Sequence, residues 1–233
     1  NKQLTLNDSM LDVVAPQQQL GKRITIDLFF RTLAQAYGQR AVCVIMSGTD
    51  SDGVIGLKHI RAQGGLTIAQ DPNEAEFDSM PASAISTGMV DWVLPVAKMP
   101  GKLLEFVRNE NRMRLPPEIP ESDEPDAKVA GAPGGPTVSD ETRATEDEEA
   151  IGKILAGVRA QTGHDFSHYK RATVLRRIAR RLQVNSLETL PQYLEFIRTH
   201  PAEGRALLQD LLIGVTHFFR DRESFVSLQA NIP

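Results

Sequence analysis

The stretch Ser47-Gly48-Thr49-Asp50-Ser51-Asp52-Gly53 gathers three hydroxyl side chains, two carboxylates and two glycines in seven positions. Residues of these types could cradle a phosphate, ligate calcium or turn the chain against a dinucleotide. The spacing fits none of the three motifs. A Walker phosphate loop needs Lys-Ser/Thr after its second glycine, and Gly53 is followed by Val54-Ile55. An EF-hand with Asp50 and Asp52 at its third and fifth positions puts Gly48 first and His59 twelfth, where a glutamate is required. A Rossmann fingerprint needs Gly-x-Gly, which this loop lacks. On spacing alone the plain alternative is that Asp52 is the N-cap of the helix that follows. A cap of this kind accepts orphan backbone N–H groups and contributes about 1 kcal/mol.

A second concentration of chemistry is basic. Arg171, Arg176, Arg177, Arg180 and Arg181 fall within eleven positions of a helical run. At about 100° per residue, Arg176, Arg177 and Arg180 point away from an apolar stripe of Val174, Leu175, Ile178 and Leu182. The expectation is an exposed basic face. An acidic protein surface suits it better than nucleic acid, because the chain is acidic overall and carries neither interleaved aromatics nor a nucleic-acid motif. The single cysteine, Cys43, lies in an apolar run and can make neither an intramolecular disulfide nor a multi-cysteine zinc site. It reads as a small core residue, and no metal is expected.

These residues must be held by elements legible in the pattern. Ile24 to Tyr37 carries apolar residues at helical spacing and ends at Gly38. Ala41 to Met46 is short, continuous and rich in β-branched residues, as a strand covered on both faces reads. The Ser47 to Gly53 loop then leads into a helix over Val54 to Gln63, closed by Gly64-Gly65. A second buried strand at Leu66 to Gln70, a helix near Met80 to Ile85 and a short strand at Trp92 to Leu94 follow. Strands alternating with helices predict a parallel sheet, with ligands beyond the carboxyl ends of its strands. The Ser47 to Gly53 loop occupies such an end. Beyond residue 150 the pattern is wholly helical: Ala150 to Gln161, Lys170 to Gln183, Leu190 to Thr199, Ala202 to Ile213 and a final run after Thr216.

Composition divides the chain in the same way. Its 233 residues carry a net charge of -4, with 26 basic and 30 acidic side chains. Residues 1–110 hold 10 basic and 12 acidic, 111–150 hold 4 and 11, and 151–233 hold 12 and 7. The middle segment is rich in proline and glycine and has no aromatic residue, so it reads as a disordered acidic spacer. The expected organisation is a partial doubly wound α/β domain over 1–110, a linker over 111–147 and a small all-α domain over 148–233. No run approaches the roughly 18 apolar residues of a membrane span and the amino terminus lacks signal-peptide zones. No membrane insertion is expected, and one cysteine fits a reducing cytoplasm. Because residue 1 is not methionine, the chain is expected to be cut from something longer.

Residues 1 to about 108 resemble the carboxyl half of the CheB-type methylesterase catalytic domain. The likeness is carried by Val44-Ile45-Met46-Ser47-Gly48-Thr49-Asp50-Ser51-Asp52-Gly53-Val54-Ile55-Gly56-Leu57, then Ile68-Ala69-Gln70-Asp71-Pro72, Phe77 to Ile85 and Gly88-Met89-Val90-Asp91, in order. Residues from about 148 to 229 resemble the helical amino-terminal domain of the CheR-type methyltransferase, through Tyr169-Lys170-Arg171, Arg180-Arg181-Leu182 and Thr216-His217-Phe218-Phe219-Arg220. The order resembles fused chemotaxis receptor modification proteins.

The resemblance implies hydrolysis of receptor glutamate methyl esters and S-adenosylmethionine-dependent methylation of the same glutamates. Asp52 matches the triad aspartate that orients a histidine while a serine attacks the ester. Thr49 stands where the family has a methionine whose backbone N–H joins the oxyanion hole, and Asp50 replaces a glycine. Arg220 matches an arginine that reaches the cofactor carboxylate. Arg171, Arg177 and Arg180 match the face that meets the acidic methylation region of a methyl-accepting chemoreceptor. A response regulator or histidine kinase is a further possible partner. All five histidines, His59, His164, His168, His200 and His217, come after Asp52, whereas the family's histidine and nucleophile precede it. The chain by itself is therefore expected to be inactive, and the alternative is a non-catalytic scaffold that docks on receptors or regulators.

Overall fold

The computed structural model describes residues 3–7, 10–14, 24–110, 112–116 and 138–213. β1 (Gln3–Asn7) and β2 (Met10–Val14) pair antiparallel, Gln3 opposite Val14 and Leu6 opposite Leu11. This hairpin was not expected from the sequence. It rests on α1 (Thr25–Tyr37), where the Thr32 hydroxyl accepts the Leu6 N–H at 3.1 Å. Gly38 follows α1 at φ 52°, as the predicted stop requires.

The central sheet has three parallel strands in the order β3 (Val42–Ile45), β4 (Leu66–Gln70), β5 (Trp92–Leu94). α2 (Val54–Ala62) connects β3 to β4, and α3 (Ser79–Ser86) connects β4 to β5. In register, Val44 faces Ile68 and Ile68 faces Trp92. Every residue of the middle strand β4 is buried, which explains its continuous apolar reading.

Alternation along the strands feeds two cores. Cys43 and Ile45 point to one face, packing with Phe30 and Ala34 of α1, Leu57 and Ile60 of α2, and Ala84 of α3. Leu66 and Ile68 face the other side, against Met99 and Phe106 of α4 (Met99–Glu110), with Val42, Val44 and Trp92 partly buried beside them. The Trp92 and Phe106 rings meet edge to face at 5.9 Å.

The helical unit comprises α5 (Val138–Thr162), α6 (Arg171–Val184), α7 (Leu190–Thr199) and α8 (Pro201–Leu212). Its core holds Ile154, Val158, Ile178, Leu182, Leu190, Tyr193 and Leu207. Thr189 and Gln192 close a capping box at the start of α7. α5 begins at Val138, inside the 111–147 segment read from composition as a linker. The run after Thr216 lies outside the described residues. No described helix is long and apolar enough to cross a membrane, and no described group of His, Cys, Asp and Glu could hold a metal.

Candidate functional site

Asp52 sits beyond the carboxyl end of β3, in the loop that enters α2, and is 7% exposed. The expected cap geometry is corrected here. Asp52 does not cap the helix that follows, whose N-cap is Gly53 with no side-chain bond. Instead, Asp52 Oδ2 accepts the Ile26 N–H and Oδ1 the Asp27 N–H, each at 2.9 Å, at the first turn of α1. The partial positive charge of that helix end favours a carboxylate there. Asp27 returns the arrangement: its Oδ1 accepts the Gly56 N–H of α2 at 2.7 Å. Two aspartates twenty-five residues apart in sequence therefore tie the starts of the two helices together.

Two glycines make that exchange possible. Gly53 has φ 100°, and a Cβ there would lie 2.8 Å from the Ile26 side chain. A Cβ at Gly56 would lie 2.6 Å from Phe30 Cβ and 2.9 Å from the Asp27 carbonyl oxygen. Close approach of α1 and α2 brings Asp52 to the α1 amides. Each Asp52 oxygen retains a second acceptor position, so the carboxylate can still receive an imidazole N–H.

The rest of the loop is stitched to the loop after β4. The Ser47 N–H donates to Gln70 Oε1 at 2.8 Å, the Phe77 N–H to Ser47 Oγ at 2.9 Å, and the Gly48 N–H to the Phe77 carbonyl at 2.9 Å. Gly48 accepts in turn from the Met80 N–H at 3.0 Å. Thr49 is exposed at the crest of this braced turn, and Asp50 is exposed beside it, its Oδ1 accepting the Ser51 N–H at 2.6 Å. His59 is half-buried on α2. Exposed Met46, Ile55 and Phe77 form an apolar rim around the loop. Cys43 is 1% exposed, and burial pushes its thiol up to about 12, which suits a core residue and not a nucleophile.

The arginine helix departs from expectation. Arg176 is exposed, and Arg171 lies at the surface with its Nε donating to Glu148 of α5 at 2.5 Å. Arg177 and Arg180 are only 5% and 3% exposed. The exposed basic face is thus corrected at these two positions, because the apolar stripe of α6 is covered by the helical core, Arg177 reaches the end of α8 and Arg180 lies against Gly65 and Asp91 of the α/β unit. Arg180 donates to Asp91 Oδ2 at 2.5 Å, to Asp210 Oδ2 at 2.7 Å and twice to the Gly65 carbonyl, at 2.9 and 3.2 Å. Arg61 of α2 reaches the other way, to Asp210 Oδ1 at 2.8 Å and the Gly88 carbonyl at 3.0 Å. Arg181 holds Glu203 with a two-pronged bond at 2.7 and 2.6 Å, and Tyr193 donates to the same carboxylate at 2.8 Å. Arg177 donates to the Ile213 carbonyl at 3.1 Å. Sequence reasoning did not single out Asp91, Arg61, Glu203 or Asp210 for this role; for the last three a charged residue on the buried face of a helix was the available signal, whereas Asp91 lies just before β5.

Burial pushes the Asp91 carboxyl up, but Arg180, Arg61 and Arg181 outweigh it and hold the group below its ordinary value. The contact lies around Gly65 and Asp91, at the amino ends of β4 and β5. Asp52 is at the opposite end of the sheet. Arg220 lies outside the described residues.

Comparison with known proteins gives two family matches. Residues 1–103 match the CheB methylesterase family and residues 149–212 the CheR methyltransferase all-alpha domain. An uncharacterised 104.1 kDa protein of Rhodobacter capsulatus is 35% identical over 225 residues, 94% of this chain and 23% of that protein. A protein-glutamate methylesterase/protein-glutamine glutaminase of Pyrococcus horikoshii is 42% identical over 87 residues, 37% of this chain and 24% of its own length. The chain therefore spans about a quarter of each of these relatives. The Thermotoga maritima CheB methylesterase catalytic domain is 28% identical, with a TM-score of 0.40, covering 45% of this chain and 56% of that one.

Proposed function

We propose that this chain, whose residues 1–103 match the CheB methylesterase family and residues 149–212 the CheR all-alpha domain, is part of a bifunctional chemotaxis receptor modification protein. Its parent removes methyl groups from receptor glutamates by Ser-His-Asp ester hydrolysis and adds them from S-adenosylmethionine. The observation that carries the reading is Asp52: a buried carboxylate, fixed by two helix-terminal amides, at the carboxyl end of a parallel strand.

In the esterase reaction Asp52 accepts the N–H of an imidazole and holds it in the tautomer whose other nitrogen takes the serine proton. It then stabilises the imidazolium that forms. Both bonds from α1 lock the carboxylate against rotation, so the imidazole is oriented at little cost in entropy. The braced turn at Gly48 presents the Thr49 backbone, whose N–H would face the developing oxyanion. The serine and histidine come from residues outside this chain. On the methyltransferase side, Arg171 at the surface of α6 meets an acidic receptor segment, the buried Arg177 and Arg180 join it only when the contact with the α/β unit opens, and Arg220 binds the cofactor carboxylate. No step of methyl transfer is assigned to the described residues.

The test uses the full-length parent and methylated receptor. Asp52→Asn is expected to lower methanol release about 10⁴-fold while sparing methylation by S-adenosylmethionine. Undiminished methanol release would remove Asp52 from the mechanism.

A further inference from the structure

The contact between the α/β unit and the helical unit is built mainly from charge. Three buried guanidiniums, Arg61, Arg180 and Arg181, meet three buried carboxylates, those of Asp91, Glu203 and Asp210, while buried Arg177 donates to the Ile213 carbonyl and leaves one positive charge in excess among the described residues. Two buried atoms, Asp91 Oδ1 and Arg177 Nε, have no hydrogen-bond partner. Among the described residues, Val184 is the one buried residue of the helical unit that enters an apolar cluster of the sheet. A second strip is polar as well: Ser186 donates to Glu105 Oε1 at 2.5 Å, and Asn109 to the Leu187 carbonyl at 3.0 Å.

Such a contact is made to open. Buried ion pairs roughly balance their lost hydration, an incompletely satisfied network is weaker than a complete one, and small polar contacts between domains of one chain behave as transient interfaces. The excess of positive charge lies on α6, so the opened helix attracts carboxylates. Asp91 supplies a carboxylate to Arg180 in the closed arrangement, in the manner of an acidic ligand.

Resting on the reading that the α6 arginines receive an acidic protein segment, we propose that Asp91 is an internal competitor for that segment. The docked arrangement is a closed state in which Asp91 occupies Arg180. A partner helix bearing glutamates at successive turns displaces it, and the two units separate at the amino end of the sheet. Asp52 and the turn at Gly48 lie at the far end and take no part in the exchange.

The test measures hydrogen exchange at residues 64–67 and 88–92 of the whole chain, together with binding of a fluorescent peptide carrying glutamates at helical spacing. Asp91→Asn removes the competitor. Arg61→Met, which keeps an unbranched stem without the guanidinium and leaves α6 untouched, decides the matter if loss of the Asp91 bonds to Thr67 unfolds the first variant. Both are expected to raise exchange and to tighten peptide binding about tenfold, the gain from freeing a state populated one-tenth of the time. Raised exchange with unchanged or weaker binding overturns the competition, as does exchange that neither variant alters. In the same assay Arg177→Gln with Arg180→Gln should abolish binding. If the peptide binds regardless of those arginines, the underlying reading of α6 fails instead.

Discussion

Asp27 and Asp52 cap each other's helices: Asp52 accepts the Ile26 and Asp27 amides of α1 at 2.9 Å, and Asp27 accepts the Gly56 amide of α2 at 2.7 Å. The proposed catalytic carboxylate is therefore also a structural one. Asp52→Ala, which loses both acceptors, should cost about 2 kcal/mol of stability, and Asp52→Asn, which keeps one, about 1 kcal/mol. Urea unfolding of this chain measures both, and a cost near zero for Asp52→Ala would contradict the capping role.

Close packing of the same two helices sets a second expectation. Gly56→Ala places a methyl group 2.6 Å from Phe30 Cβ and 2.9 Å from the Asp27 carbonyl oxygen. The helices must part, at about 1–3 kcal/mol. The midpoint of urea unfolding should fall accordingly, whereas helix propensity alone would predict a gain of about 1 kcal/mol.

The Cys43 thiol should be inert in the native chain. Burial raises it to about 12, so at pH 8 almost none is thiolate. Ellman's reagent should label Cys43 only as the chain unfolds, at the unfolding rate. Rapid labelling under native conditions would place it at a surface.

Acid should loosen the contact between the units. The Asp91 carboxyl is lowered from 3.8 in the folded chain, so its contribution is complete well above that value. It declines as pH falls through 3.8 and is lost once pH passes below the folded value. Asp91→Asn should flatten the acid limb of stability against pH, measured by thermal unfolding at a series of pH values. An unchanged acid limb would assign the effect to other carboxylates.

The two-pronged bond of Arg181 to Glu203 is buried, and Tyr193 shares the carboxylate. Glu203→Ala leaves the Tyr193 phenol without its acceptor and the Arg181 guanidinium with only its longer contacts to Asp91 and Asp210, at a cost of about 3–5 kcal/mol. Replacing Arg181 with Met and Glu203 with Leu together should recover much of that loss. A double variant as unstable as Glu203→Ala alone would show that packing, not charge, is at issue.

The parallel strands were legible because β3 and β4 are apolar runs bounded by glycine-bearing loops, and the buried Cys43 followed from its place in one of them. The β1–β2 hairpin escaped notice because Met10, Leu11 and Val13 are exposed and give no alternation between core and solvent. α4 was missed for a different reason. Its amino end carries Pro100 and Gly101, which read as breakers, while Phe106 is buried through partners distant in sequence, Leu66, Ile68 and Trp92. The start of α5 was hidden because acidic residues without an apolar stripe read as spacer.

What the sequence by itself determined is local: the period of each strand and helix, the glycine stops, the position of Asp52 at a strand's carboxyl end and the density of arginine on α6. Only the tertiary structure decided where the charges terminate. Helical periodicity tells which side chains share a face, but it carries no information about what covers that face. Arg180 and Arg176 project from the same helix, yet one is buried against Asp91 and the other meets water. Asp52 likewise precedes α2 in the chain, but the amides nearest its oxygens belong to α1, because close packing at Gly53 and Gly56 brings that helix end within hydrogen-bond reach.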